Sequence, residues 1–105
     1  MRDLTPKQLQ ARLAQPEPPV LLDVREPWEF QTCRIEGSIS IPMGNIVARI
    51  QELDPQTPVV AICHHGVRSR QVALYLERAG FTSVGNLRGG VAAWAADVDP
   101  KMPHY

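Results

Sequence analysis

The chain has 105 residues, which fits a single domain spanning residues 1–105. It carries 11 Lys and Arg residues and 11 Asp and Glu residues, so its formal net charge is zero, and we expect neither a nucleic-acid partner nor a polybasic membrane-binding surface. No apolar run approaches the roughly 20 residues that cross a bilayer, and the first residues lack the apolar core of a signal peptide, so we expect a cytoplasmic protein.

The first part of the chain contains a helix start followed by a short apolar run. Thr5, Pro6 and Gln8 have the pattern of an N-cap, a first helical residue and the reciprocal partner of a capping box. We expect this helix to end before Pro16, because the prolines that follow favour an extended connection. Residues 20–24 are apolar apart from one acid, which is typical of a buried strand.

The rest of the chain alternates between strand-like and helical patterns. Pro27 can begin a short helix, and residues 46–53 and 69–79 each place apolar side chains on one helical face. Further strands are predicted at 38–41, 59–62 and 84–87, a last short helix at 91–95, and an irregular tail at 98–105. Strands that alternate with amphipathic helices predict an α/β fold with a mainly parallel sheet.

The two cysteines, Cys33 and Cys63, are too few for a disulfide scaffold or a four-cysteine zinc site. Of the three histidines, His64 and His65 are adjacent, and no spacing typical of a metal site occurs, so we expect no metal and no cofactor. Ligands of parallel sheets bind beyond the carboxyl ends of the strands. Asp23 and Cys63 both lie at such ends, which directs attention to the loop after Cys63.

The segment from Cys63 to Ser69 joins the most strand-like run to the best-patterned helix. A short loop at such a junction turns its backbone N–H groups inward as an anion-binding nest, and the helix adds its own free N–H groups and positive dipole end. Gly66 allows a positive φ, and Arg68 and the histidines add cationic charge. Cys63 can be a simple buried cysteine, but these features favour its thiolate and indicate a nucleophile that attacks an oxyanion substrate.

The charged and polar residues of this loop have structural interpretations as well. Adjacent histidines on a loop are more often solvated than catalytic, so His64 and His65 are interpreted as pocket wall. Arg68 can bind substrate or can form an ion pair with Asp23 or Glu29. The sequence leaves both roles of Arg68 open.

Asp23 interrupts an apolar strand, and a carboxylate there must be paired or hydrogen-bonded. We expect Arg25 to stabilise the fold through a carboxylate, which makes Asp23 and Arg25 structural residues near the site. Trp28 and Trp94 are expected to pack in the core or at its edge instead of binding a ligand.

Four stretches of the chain, in this order and spacing, resemble the rhodanese domain from about Leu4 to Trp94. They are residues 22–30 (LDVREPWEF), 34–38 running into 41–42, 63–69 (CHHGVRS), and 80–90 followed by Trp94. Two positions depart from the family pattern. Cys33 and Arg34 stand where family members commonly carry Gly-His, and His64 stands where a cation such as Arg is frequent.

The resemblance implies a rhodanese-like α/β fold, in which a five-stranded, mainly parallel sheet is flanked by helices and the fifth strand lies around residues 2–4. It also implies a thiosulfate sulfurtransferase. Cys63, the catalytic residue, attacks the outer sulfur of thiosulfate or of a persulfide donor, releases sulfite when the donor is thiosulfate, and holds the sulfur as a persulfide. A thiophilic acceptor, either a small molecule or a protein, then removes it. The implied substrate-binding loop consists of His64, His65, Gly66, Val67 and Arg68.

Two other functions remain open. A cysteine phosphatase or arsenate reductase usually carries Arg as the sixth residue after its cysteine, but that residue is Ser69 here. Rhodanese-like phosphatases also have a loop one residue longer than the loop from Cys63 to Arg68. A non-catalytic rhodanese-like binding module usually lacks the cysteine, which this chain retains.

Overall fold

The structure is a computed structural model that describes residues 1–105, and it alternates strands with helices along the chain. The strands are β1 (Arg2–Leu4), β2 (Val20–Asp23), β3 (Ile39–Ser40), β4 (Val59–Ile62) and β5 (Val84–Leu87). The α-helices are α1 (Pro6–Leu13), α2 (Pro27–Thr32), α3 (Ile46–Arg49), α4 (Val67–Arg78) and α5 (Gly90–Asp97). Two 3₁₀ helices, Met43–Asn45 and Ile50–Glu52, flank α3.

The five strands form one parallel sheet in the order β1-β5-β4-β2-β3. This confirms the predicted fold class, and β1 is the fifth strand that the resemblance implied. The strand β4 is central and fully buried, since it pairs with β2 on one side and β5 on the other. Asp23 pairs in register with Ile62, so the residues that follow β2 and β4 leave the sheet at the same edge.

Side chains alternate between the two faces of the sheet and build two hydrophobic cores. Leu21 and Ile62 belong to the core that also contains side chains of α1 and α5. Leu22 belongs to the opposite core, which contains side chains of α3 and α4. Cys33 lies in the first core and Cys63 in the second, so the two thiols are on opposite faces of the sheet.

The start of α1 follows the sequence prediction. The Gln8 N–H donates to Thr5 Oγ1 at 3.2 Å, and the Thr5 N–H donates to Gln8 Oε1 at 2.9 Å. This reciprocal capping box fixes the helix start, and the helix ends at Leu13, ahead of Pro16.

The segment at 46–53 is less regular than its apolar pattern indicates. Instead of one helix it consists of α3 and a 3₁₀ turn, and a second 3₁₀ turn precedes α3. No side chain caps α3, and Val47 is 70% exposed, so only part of the predicted apolar face is buried. Without a cap or a continuous buried face, a long helix gains too little to persist here.

The tail after α5 contains no helix or strand, and it packs against the domain. Met102 is buried in the core beside α5, and Tyr105 is only partly exposed. None of the helices is long and apolar enough to cross a membrane.

Candidate active site

Cys63 directly follows the central strand β4, and its side chain is buried at 1% exposure. Two hydrogen-bond donors surround its sulfur. The backbone N–H of Gly66 donates to Cys63 Sγ at 3.0 Å, and the hydroxyl of Ser69 lies 3.3 Å from it. These donors stabilise negative charge on the sulfur more than they stabilise a neutral thiol.

The loop after Cys63 presents backbone N–H groups that the fold does not use. Apart from that of Gly66, the N–H groups of residues 64–69 donate to no carbonyl or side chain of the protein. The first N–H that bonds back into α4 is that of Arg70, which donates to the Gly66 carbonyl at 3.2 Å. Gly66 has φ 96°, which turns the chain from the loop into the helix. Unused N–H groups at the start of a helix are suited to bind an anion.

The first turn of α5 holds the backbone of this loop. The N–H groups of Val91 and Ala92 donate to the carbonyls of Cys63 and His64, at 2.9 and 3.1 Å. This close approach requires glycine at position 90, because a Cβ there would lie 2.3 Å from both carbonyl oxygens. These bonds turn the carbonyls of Cys63 and His64 towards α5. The sequence showed two adjacent glycines after a strand, but it did not show which loop they approach.

Ser69 links Cys63 to a polar cluster that sequence reasoning missed. Its hydroxyl also contacts Asn86 Oδ1, and both side chains are buried. The Asn86 amide donates to Asp3 Oδ1 at 3.0 Å and to the Gly66 carbonyl at 3.3 Å, which leaves Oδ1 facing Ser69. A hydroxyl has one proton, so Ser69 donates to either Asn86 or the Cys63 sulfur, but not to both at once. The sequence feature that could have indicated this cluster is Asn86, a polar residue inside the otherwise apolar strand β5.

Arg68 pairs with Glu29 and not with Asp23. Its Nη1 and Nη2 donate to the two carboxylate oxygens at 2.7 and 2.9 Å, while the Glu29 side chain is 5% exposed. Hydrogen bonding from Arg68 outweighs burial and, with a further bond from the Glu26 N–H, lowers the pKa of Glu29 to about 2. Of the two roles that the sequence left open for Arg68, the structure shows the ion pair.

Asp23 and Arg25 form an ion pair that is completely buried. Arg25 Nη2 donates to Asp23 Oδ2 at 2.7 Å and Arg25 Nε to Oδ1 at 2.9 Å, with both side chains at 0% exposure. The same guanidinium donates to the Cys33 carbonyl at 2.6 Å and lies 3.8 Å from the Cys33 sulfur. This pair connects the end of β2 to the segment after α2 and makes no hydrogen bond to Cys63.

His64 and His65 follow Cys63 directly in the loop. The His64 ring stacks on His65 on one side and on Tyr105 on the other, with ring centroids 4.1 Å apart in each case. Burial, followed by the neighbouring charge of His65, lowers the pKa of His64. This lower pKa disfavours the protonated form of His64, which reduces its contribution to the cationic charge of the loop. Tyr105 was not predicted to lie near the site.

The structure contains no group of three or more His, Cys, Asp and Glu side chains that could hold a metal ion. Both cysteines are free thiols. Trp94 is buried, whereas Trp28 is 59% exposed and contacts the ring of Tyr105.

The chain is similar to known proteins over most of its length. The rhodanese-like domain family matches residues 5–97. The chain is 37% identical over 95 residues to a sulfurtransferase of Allochromatium vinosum, covering 90% of this chain and 89% of the relative. It is 34% identical over 83 residues to the thiosulfate sulfurtransferase GlpE of Pseudoalteromonas translucida, covering 79% of each. A rhodanese-like domain protein from Staphylococcus aureus, known from a crystal structure, superposes with a TM-score of 0.84 at 31% identity, covering 90% of this chain and 91% of that chain. The chain belongs to the rhodanese-like domain family.

Proposed function

We propose that the protein is a sulfurtransferase that carries sulfane sulfur as a persulfide on Cys63. One observation carries the proposal: a buried cysteine sulfur accepts a hydrogen bond from the Gly66 N–H, in a loop whose other N–H groups are unused. Two of the proteins described above are named as sulfurtransferases, and one of these two as a thiosulfate sulfurtransferase. Thiosulfate is therefore the donor that we propose to test first.

The first half-reaction transfers one sulfur atom to the enzyme. The Cys63 thiolate attacks the outer sulfur of thiosulfate and forms a new S–S bond. The bond between the two thiosulfate sulfurs breaks, and its electron pair leaves with sulfite. The enzyme then holds a Cys63 persulfide, whose outer sulfur carries the negative charge.

The second half-reaction returns the enzyme to its starting state. A thiophilic acceptor such as cyanide attacks the outer persulfide sulfur, the S–S bond breaks, and the thiolate of Cys63 is regenerated as thiocyanate leaves. A thiol on a protein can serve as the acceptor in the same way. The cycle requires a reduced cysteine, so we place it in a reducing compartment such as the cytoplasm.

The loop can stabilise both the oxyanions and the persulfide anion of this cycle. Its unused N–H groups supply fixed partial positive charge to the oxygens of thiosulfate and of the departing sulfite. The donors of Gly66 and Ser69 already face the sulfur that becomes part of the persulfide. Arg68 is engaged by Glu29, so we assign donor binding mainly to the backbone.

Mass spectrometry after treatment with thiosulfate tests the proposal. We expect a gain of one sulfur atom on the peptide containing Cys63, which cyanide removes. Cys63→Ser should abolish both the adduct and thiosulfate:cyanide turnover, because a serine hydroxyl is not ionised near pH 7 and cannot hold a persulfide.

Cys33→Ser is the matched control, since Cys33 is also a buried free thiol but lies on the opposite face of the sheet. We expect it to keep most of the activity. A sulfur adduct on Cys33 in place of Cys63, or hydrolysis of an aryl phosphate with no sulfur adduct, would contradict the proposal.

A further inference from the structure

The segment after α5 returns to the sheet edge that carries Cys63. Met102 anchors this segment in the core. The hydroxyl of Tyr105 accepts a hydrogen bond from Arg25 Nη1 and donates one to Glu29 Oε2, both at 2.8 Å. Each of these partners is already fixed by its own ion pair, so the position of the Tyr105 ring is fixed as well.

The ring of Tyr105 packs against one face of the His64 ring. The two rings stack with centroids 4.1 Å apart and planes at 22°. The edge-to-face contact of Tyr105 with Trp28, at 5.4 Å and 75°, supports the tyrosine ring. Since His65 covers the other face of His64, the imidazole is held on both sides.

His64 is the first residue of the loop after the proposed nucleophile. Its carbonyl is held by the Ala92 N–H, and its side chain is held by Tyr105. The peptide groups on either side of His64 are thus restrained from two directions. A loop that is ordered before an anion arrives loses less conformational freedom on binding, which favours affinity.

We infer that Tyr105 is a positioning residue that holds His64 and, through it, the first N–H groups of the anion-binding loop. Tyr105 thereby raises the affinity of the site for an anionic sulfur donor. This inference rests on the proposed function, because the anion in question is the donor. Tyr105 has no hydrogen bond to the Cys63 sulfur, so we assign it no part in the transfer of sulfur itself.

Alkylation of Cys63 by two reagents tests the inference without any sulfur transfer. Iodoacetate and iodoacetamide react with the same thiol by the same displacement, but only iodoacetate is an anion. The ratio of their rate constants measures how strongly the loop attracts negative charge. The measurement uses the Cys33→Ser background, in which Cys63 is the only thiol.

Tyr105→Ala should lower the ratio of iodoacetate to iodoacetamide rates about three- to tenfold, the range expected for loss of an aromatic stack. Tyr105→Phe should lower it less, because the ring remains while its two hydrogen-bonded anchors are lost. The thiosulfate KM should rise by a similar factor in Tyr105→Ala while kcat stays close to that of the parent.

Tyr75→Ala is the matched control, because Tyr75 is the other tyrosine of the chain and lies on the surface of α4, 38% exposed. We expect its ratio to equal that of the parent. Thermal melting of every variant identifies a temperature at which all are folded, and the rates are compared there.

Three outcomes separate the inference from the proposed function. A Tyr105→Ala ratio within about twofold of the parent, which is less than one aromatic stack contributes, overturns the inference. An equal fall of the rate ratio in Tyr75→Ala also overturns the inference, because the effect is then a general loss of order in the protein and is not specific to Tyr105. A fall confined to Tyr105→Ala in a protein that never gains sulfur from thiosulfate supports the role of Tyr105 at an anion site and refutes thiosulfate as the sulfur donor.

Discussion

Replacing Arg68 by alanine leaves the buried Glu29 carboxylate without its cationic partner. Hydrogen bonds from Arg68 are the main cause that lowers the pKa of Glu29 from 4.5 to about 2. At about 1.4 kcal/mol for each pKa unit, this fall corresponds to about 3 kcal/mol of stability. The Arg68 side chain is 36% exposed, and Glu29 keeps its bonds from Glu26 and Tyr105 in the variant. Water and these donors compensate in part, so we expect a loss of about 2 kcal/mol at pH 7.

The pH dependence of this loss has a definite sign. Because the pKa of Glu29 is lower in the folded state, its stabilising contribution is complete above pH 4.5 and disappears as the pH falls towards 2. In Arg68→Ala the pKa of Glu29 rises towards its ordinary value, so this contribution is already missing at neutral pH. The difference in unfolding free energy between parent and variant should therefore shrink as the pH falls from 4.5 towards 2.

Urea unfolding at pH 7 and at several acidic pH values measures this difference. Arg49→Ala is the matched control, because Arg49 also donates two hydrogen bonds to one carboxylate, that of Glu52, at 2.9 Å each, but both side chains are largely exposed. We expect little change in stability for Arg49→Ala. Equal losses in the two variants, or a loss in Arg68→Ala that is the same at every pH, would refute the reasoning.

The same pair tests whether Arg68 also acts on Cys63. The double variant Arg68→Ala with Glu29→Gln removes both charges together and leaves the net charge unchanged. Because Nη1 and Nη2 of Arg68 both face Glu29, we expect the rate of iodoacetamide alkylation of Cys63 to follow the parental pH profile. A profile displaced to higher pH would place Arg68 among the groups that stabilise the thiolate.

Two further variants probe the framework around the site. Arg25→Ala leaves the Asp23 carboxylate buried and unpaired, so we expect the free energy of unfolding, measured with urea, to fall by about 3–5 kcal/mol. Unchanged stability together with lost activity would instead make Arg25 a residue of the site. Gly90→Ala should lower both the melting temperature and sulfurtransferase turnover, because the new Cβ would lie 2.3 Å from the Cys63 carbonyl oxygen in a residue with φ +62°. Gly44→Ala, whose Cβ would meet nothing within 4 Å, should leave both unchanged, and equal behaviour of the two glycine variants would exclude the close approach as the cause.

Local sequence determined most of the secondary structure. The start of α1 depends on Thr5, Pro6 and Gln8, which lie within four residues of one another, so their pattern is visible in the chain itself. The apolar run at 59–62 identified the central strand for the same reason. A strand that is buried on both faces is apolar at consecutive positions, and this pattern is visible in the chain itself. The position of Cys63 between this strand and a helix followed directly.

Only the tertiary structure decided what surrounds Cys63. The sequence offered Asp23 and Glu29 as possible partners of Arg68. The pairing with Glu29 depends on how α2 packs beside the loop, and this packing cannot be read from the periodicity of the sequence. Tyr105 is hydrogen-bonded to Arg25, which lies 80 residues earlier in the chain, and Asn86 to Ser69, which lies 17 residues earlier. Such contacts form because the sheet order brings distant segments to one edge. Local propensity therefore determined most of the strands and helices and the position of Cys63 at the end of β4, whereas long-range packing determined the hydrogen bonds and charges around its sulfur.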